Sequence, residues 1–157
     1  MRGGNKVLTV IVTLLVLLAI GWLILYQTGL GKRPPNLGVK NGQLAPCPNK
    51  PNCVSTQAEE DSHAIKPIPY SSSQQEAEER LLKVLHAMKR MEIITHQQGY
   101  VHVESTSLLM RYVDDLEFYF DDDTKVIHFR SASRVGYSDM GVNRKRMESI
   151  RAEFVKN

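Results

Sequence analysis

Residues 7–26, from Val7 to Tyr26, form an unbroken apolar run of 20 residues without a charge or a proline. At about 1.5 Å of rise per residue, a helix of that length crosses the hydrocarbon core of a bilayer, roughly 30 Å thick. No water reaches that core, so the backbone must satisfy its own hydrogen bonds, as a helix does. The run therefore predicts a transmembrane helix, with the lipid bilayer as the first partner of this chain. A cleaved signal peptide is the competing reading. It asks for a shorter apolar core followed by a small-residue cleavage site. Here Trp22 and Tyr26 end the run, as aromatic residues do at a membrane interface, and no Ala-x-Ala follows. Leu44-Ala45-Pro46-Cys47 is only a faint lipoprotein-like sequence, too far downstream.

Charge sets the expected topology. Arg2 and Lys6 precede the run, whereas Lys32, Arg33 and Lys40 follow it. The short basic head favours a cytoplasmic N-terminus and an extracytoplasmic bulk, periplasmic or outer-side if the source is bacterial. Arg2 and Lys6 take two of the 20 basic residues, so 18 face 17 acidic ones beyond them. No global basic field exists there, and nucleic acid is not an expected partner.

The only cysteines, Cys47 and Cys53, sit in Cys-Pro-Asn-Lys-Pro-Asn-Cys. The prolines allow the loop to fold back, so a disulfide fits an exported domain. Reduced structural thiols are the second reading. A metal site is the third, although two thiolates are half a tetrahedral set and match no zinc template.

The expected organisation is a head at 1–6, the membrane helix at 7–26, a Pro/Gly-rich tether with the Cys loop at 27–62, and a globular domain at 63–157. Five prolines and few large apolar residues give the tether a semi-extended character that stands the domain off the membrane. In the domain, 65–70 carries Pro67 and Pro69 and can be only an edge strand. Ser73-Gln74-Gln75-Glu76 is a capping box, and Ala77, Leu81, Val84, Leu85 and Met88 then recur at helical spacing. Strands are expected at 91–96, 100–104 and 108–113, with a turn at Asp114-Asp115. Leu116, Phe118 and Phe120 alternate with polar residues in the next strand, and 125–130 returns. Met147, Ile150 and Phe154 share one face of a last helix. The fold class is α+β: a small antiparallel meander sheet with two helices packed on one face.

The densest polar chemistry runs from Arg130 to Arg146, with Ser131, Ser133, Arg134, Asp139, Asn143 and Arg144 on or beside a loop before a helix N-terminus. Arginine forks and free backbone N–H groups there can hold a carboxylate or phosphate. Turn and cap chemistry alone also accounts for these residue types. The arrangement expected is one network of Arg130, Arg134 and Asp139, with Asp114 or Asp115 as the acidic partner. Asp121-Asp122-Asp123 lacks the Gly and Glu of an EF-hand, and the five histidines show no metal spacing. No metal and no cofactor is expected.

Three segments resemble one family: Cys47 through Ser55, Asp114-Asp115-Leu116-Glu117-Phe118, and Arg130 through Arg146. They are similar, in order and spacing, to the domain-of-unknown-function 1499 family over about residues 37–154. The resemblance implies a small domain, often exported or membrane-attached. It carries no established activity, so no catalytic residue is transferred. The matching positions are the two cysteines, Asp114, Asp115, Arg130, Ser131, Ser133, Arg134, Gly136, Asp139, Asn143 and Arg144. Three function classes follow. The first is an anchored module binding an anionic group or an envelope protein partner through the 130–144 loop. The others are a hydrolase using Asp114 or Asp115 with a His or Ser, and a structural accessory protein of an envelope complex.

Overall fold

The computed structural model describes residues 3–156. The Arg2 charge of the basic head and the Tyr26 side chain lie outside the described residues. The apolar run lies within α1 (Gly3–Leu30), and Lys6–Ile24 is long and apolar enough to span a membrane, with none of it buried by the rest of the protein.

Six strands follow: β1 (Cys53–Ser55), β2 (Ile68–Pro69), β3 (Met91–Gln97), β4 (Tyr100–Thr106), β5 (Val113–Asp121) and β6 (Val126–Ser133). All pairings are antiparallel, in the order β1-β6-β5-β4-β3, and β2 also pairs with β6. The 65–70 segment thus contributes an edge strand, as its prolines require. Helices α2 (Gln74–Ala87) and α3 (Val142–Lys156) complete the α+β fold. The capping box is present: Glu76 N–H donates to Ser73 Oγ, while Glu76 Oε2 accepts from Ser73 N–H.

Strand alternation divides the sheet into two chemically different faces. Leu116, Phe118 and Phe120 of β5, Val101 and Val103 of β4, and Ile127 and Phe129 of β6 are all buried against Leu81, Leu85, Met147, Ile150 and Phe154 of the helices. Burying a side chain of the size of Phe118 stabilises the fold by about 2–3 kcal/mol. The other face carries acids, arginines and histidines.

Two expectations are corrected. Residues 108–113 do not form a strand. Leu108, Leu109 and Met110 lie in a turn within the 107–112 loop, and β5 begins at Val113. Asp114 and Asp115 are accordingly inside β5, paired to Ser133 and Ala132, rather than at a turn. The apolar letters of 108–110 suggested a buried strand, but these side chains face outward.

The Cys loop is expected to pack on the domain edge, and β1 does pair with β6 at the end of the sheet, but the rest of 31–62 also lies against the domain and does not stand off from it. Cys53, Val54 and Ser55 are buried in β1, Leu44 is buried, and Cys47 and Cys53 are joined by a disulfide. Arg33 and Gly38 hydrogen bond to β4 and β5 side chains. Low apolar content argued for solvation. This segment is instead held by polar contacts at Arg33 and Gly38, by the pairing of β1 with β6, and by Val54 packed in the core.

Candidate functional site

The polar face is built by period-two alternation. It carries Tyr100, His102 and Glu104 from β4, Asp115, Glu117 and Tyr119 from β5, and His128 and Arg130 from β6, with Arg134 just beyond. Register sets direct neighbours: Glu104 lies opposite Asp115, His102 opposite Glu117, and Glu117 opposite Arg130. Two carboxylates facing each other across strands repel unless a cation intervenes. Arg134 is that cation. Its Nε donates to Asp115 Oδ2 at 2.8 Å, and its Nη2 donates to Asp115 Oδ1 at 2.7 Å and Glu104 Oε1 at 2.5 Å. Arg33 reaches the same Glu104 oxygen from the segment after α1. His102 Nε2 lies 2.8 Å from Asp115 Oδ1.

Burial alone would raise the Asp115 and Glu104 carboxyls. Hydrogen bonds from Arg134, with His102 at Asp115 and Arg33 at Glu104, outweigh it and hold both below the usual carboxylate range. The same hydrogen bonds push the Arg134 guanidinium up. The ligand atoms of His102, Glu104 and Asp115 lie within 4.8 Å of one another, close enough to hold a metal ion. Arg134 Nη2 already bridges both carboxylates, so a guanidinium takes the place of a divalent cation.

Glu117 is fully buried and has three partners. Its Oε1 accepts from Gly38 N–H at 2.7 Å and Tyr100 O–H at 2.9 Å. Burial and the Glu117 charge together push the Tyr100 phenol up. Arg130 Nη1 lies at a long 3.4 Å from Glu117 Oε2. The Arg130 side chain is only 7% exposed, and its Nε is buried without a hydrogen-bond partner among the described residues. Arg130, Arg134 and the Asp115 carboxylate line a concavity of about 370 Å³ together with Pro34, Asn36 and Cys47.

The remaining expected site residues lie on the helix side of the sheet. Asn143 is fully buried and joins four groups there. Its Nδ2 donates to Asn52 O and Ser133 Oγ, and its Oδ1 accepts from Ser131 Oγ at 2.5 Å and Arg146 Nη1 at 2.9 Å. Arg146 also pairs with Asp114 at 2.7 Å. Asp139 accepts from Gly141 and Asn143 N–H and so caps α3. Arg144 donates to the carbonyls of Ala64 and Ser62, tying α3 to the chain before β2.

The expected single network is therefore two networks, separated by the sheet. Adjacent residues in a strand point to opposite faces, so Asp115 meets Arg134 while Asp114 meets Arg146. Asp139 belongs to the second side and does not meet Arg130 or Arg134. Sequence reading missed Glu104, Tyr100 and Arg33 and gave no site role to Glu117 or His102, whereas Arg146, in the cationic cluster at the α3 start, has the anionic neighbour such a position favours, Asp114. The alternation of 100–104 did contain the first signal. Its use required β5 to begin at Val113, which the apolar 108–110 letters hid. His102 and His128 share the polar face but do not meet: His128 Nδ1 lies 3.1 Å from Thr56 Oγ1, and its ring stacks with Tyr119.

The fold and the site define a class: a small α+β domain with one apolar sheet face, one buried ion-pair face, and an apolar helix at its N-terminus. The family model described as "Protein of unknown function (DUF1499)" matches residues 43–154, and the chain belongs to that family. No curated protein and no solved structure matches the chain.

Proposed function

We propose that this protein is a membrane-anchored extracytoplasmic module that binds an anionic group at Arg130, in the concavity beside the Cys47–Cys53 disulfide. One observation carries the reading: a nearly buried guanidinium with an unpartnered Nε, held by a single long contact. Buried donors are normally paired, and an orphan on a cation is costly. Arg134, by contrast, spends three of its five N–H donors on Asp115 and Glu104, so its charge is already balanced by two carboxylates. A carboxylate or phosphate oxygen entering the concavity would meet the Arg130 guanidinium that lines it, and would complete Nε by drawing the side chain toward the cavity. The apolar helix and the disulfide support an anchor in an oxidising compartment.

The test uses the full chain in detergent micelles, with the Arg130 Nε–H resonance followed by NMR during titration with inorganic phosphate or with acetate. That resonance is expected to shift on saturation with at least one of them, and Arg130→Gln to abolish the thermal stabilisation that accompanies it. If neither anion moves the resonance, Arg130 is an internal orphan and the binding reading fails.

A second reading, an enzyme, is favoured by the His102–Asp115 pair, because His102 lines a groove of about 570 Å³ with Thr95 and Tyr119. An Asp-oriented histidine is a general-base arrangement. Among the described residues, no serine hydroxyl hydrogen bonds to His102, which weakens the hydrolase form of that reading.

A further inference from the structure

Two loops place large apolar side chains in solvent at one end of the domain. In the 107–112 loop Leu108 and Leu109 are 70% and 79% exposed; in the 134–141 loop Tyr137 and Met140 are 71% and 95% exposed. Tyr112 and Val142 extend the same surface. The loops are neighbours because β4, β5 and β6 are antiparallel. Thr106 pairs with Val113, and Asp114 pairs with Ser133, so both loops leave the same sheet end. They share the walls of one cavity of about 530 Å³, Tyr112 from one side and Val135 and Val142 from the other. The 107–112 loop is pinned at its base: Ser107 N–H donates to Tyr112 O, and Tyr112 N–H donates to Ser107 Oγ. The apolar side chains at its tip therefore project from a closed base and do not fold back onto the core.

α1 joins the domain at this same end. Gly31, at φ +59°, packs so tightly that a Cβ there would lie 2.8 Å from Arg134 Cβ and 3.2 Å from Val135 Cγ1. Gly31 stands seven residues beyond Ile24, about 10 Å further along a helix. The headgroup layer beyond the hydrocarbon core is about 5–7 Å thick. The junction thus sits a few ångströms outside the headgroup layer, within side-chain reach of it, with Lys32 and Arg33 next in the chain.

We infer that the 107–112 and 134–141 loops dock into the interfacial layer of the bilayer that α1 spans, so that the domain lies on the membrane rather than standing off it. The inference rests on α1 being a membrane span. Lipid is the occupant because the end of α1 at Gly31 packs on Val135, which lines one cavity with Tyr112 and Val142 at the base of both loops. Tyrosines and cations at its rim suit the headgroup region. An apolar surface of this kind in a soluble setting would be an aggregation liability.

The test uses the full chain in phospholipid vesicles with and without brominated acyl chains. Wild-type protein reports through Trp22, its single tryptophan. In a Trp22→Phe background, Leu109→Trp and Met140→Trp report the two loops, and Gln98→Trp reports the opposite end of the sheet. These three positions are exposed, so the fold should tolerate them. The expected result is quenching of Trp22, blue-shifted and strongly quenched emission from the 109 and 140 variants, and none from the 98 variant. Quenching of Trp22 with water-like emission from both loop variants would overturn the inference while leaving the span intact, and would point to a protein partner. Equal quenching of the 98 variant would also overturn it. An unquenched Trp22 would overturn the span itself, and the docking with it.

Discussion

Removing Arg134 is the sharpest perturbation of this fold. Its guanidinium is 7% exposed and makes three hydrogen bonds to two carboxylates that are 1% and 16% exposed. Arg134→Ala leaves Asp115 in a buried site with only His102 beside it. Glu104 keeps Arg33 from the solvent side. Stranding a buried carboxylate in this way typically costs about 3–5 kcal/mol. For a domain of this size that corresponds to a fall in Tm of about 10–25 °C. Thermal unfolding of the full chain in detergent, followed by far-UV circular dichroism at the sheet signal, measures it. Arg134→Lys should fall between, since an ammonium keeps the charge but not the fork. Adding Asp115→Asn to Arg134→Ala should recover part of the loss, because the stranded charge is gone. If Arg134→Ala lies within about 1 kcal/mol of wild type, or the double variant is no better than the single, then the ion-pair face is not what holds the sheet to its cover, and the reasoning fails.

Other expectations follow from the same geometry. Asn143→Ala empties the fully buried centre that joins Ser131, Ser133, Asn52 and Arg146; a loss of about 2–4 kcal/mol is expected in the same assay. The folded carboxyls of Asp115 and Glu104 are depressed below their unfolded values of about 3.9 and 4.3. Their contribution is therefore present above about pH 4–5 and lost as pH falls through the folded values, so Asp115→Asn should flatten the acid limb of a stability–pH curve. Burial lowers the His128 imidazole, so the unfolded chain takes that proton first below about pH 6.5. The resulting loss of stability should disappear in His128→Gln. Reducing the Cys47–Cys53 bond should cost about 2–3 kcal/mol at most, since the closed loop is short. Alkylation of freshly trapped, unreduced protein should find no free thiol. Protease added to intact spheroplasts should trim the chain to a small protected fragment; survival of the domain beside an intact cytosolic marker would reverse the topology.

Much of the framework was legible in the letters because it depends on local periodicity. The apolar run of 7–26, the Ser73–Glu76 cap, the alternation of Leu116, Phe118 and Phe120, and the face of Met147, Ile150 and Phe154 each state their own structure within a few residues. The two cysteines lie close enough in sequence for the pairing to be expected. What tertiary structure decided was which polar groups meet. Once β5 is known to include Asp114 and Asp115, the alternation of Leu116, Phe118 and Phe120 puts them on opposite faces, but only the pairing register sets Asp115 opposite Glu104 and Asp114 opposite Ser133. Arg33 reaches Glu104 across 71 residues, and Gly38 reaches Glu117 across 79. Such pairings leave no periodic trace. The 31–62 segment has too little apolar content to announce a packed element, yet it covers a sheet face whose own contacts are hydrogen bonds and ion pairs. Apolar burial writes itself into spacing along the chain. A buried charge instead depends on a partner that only the folded chain brings within reach.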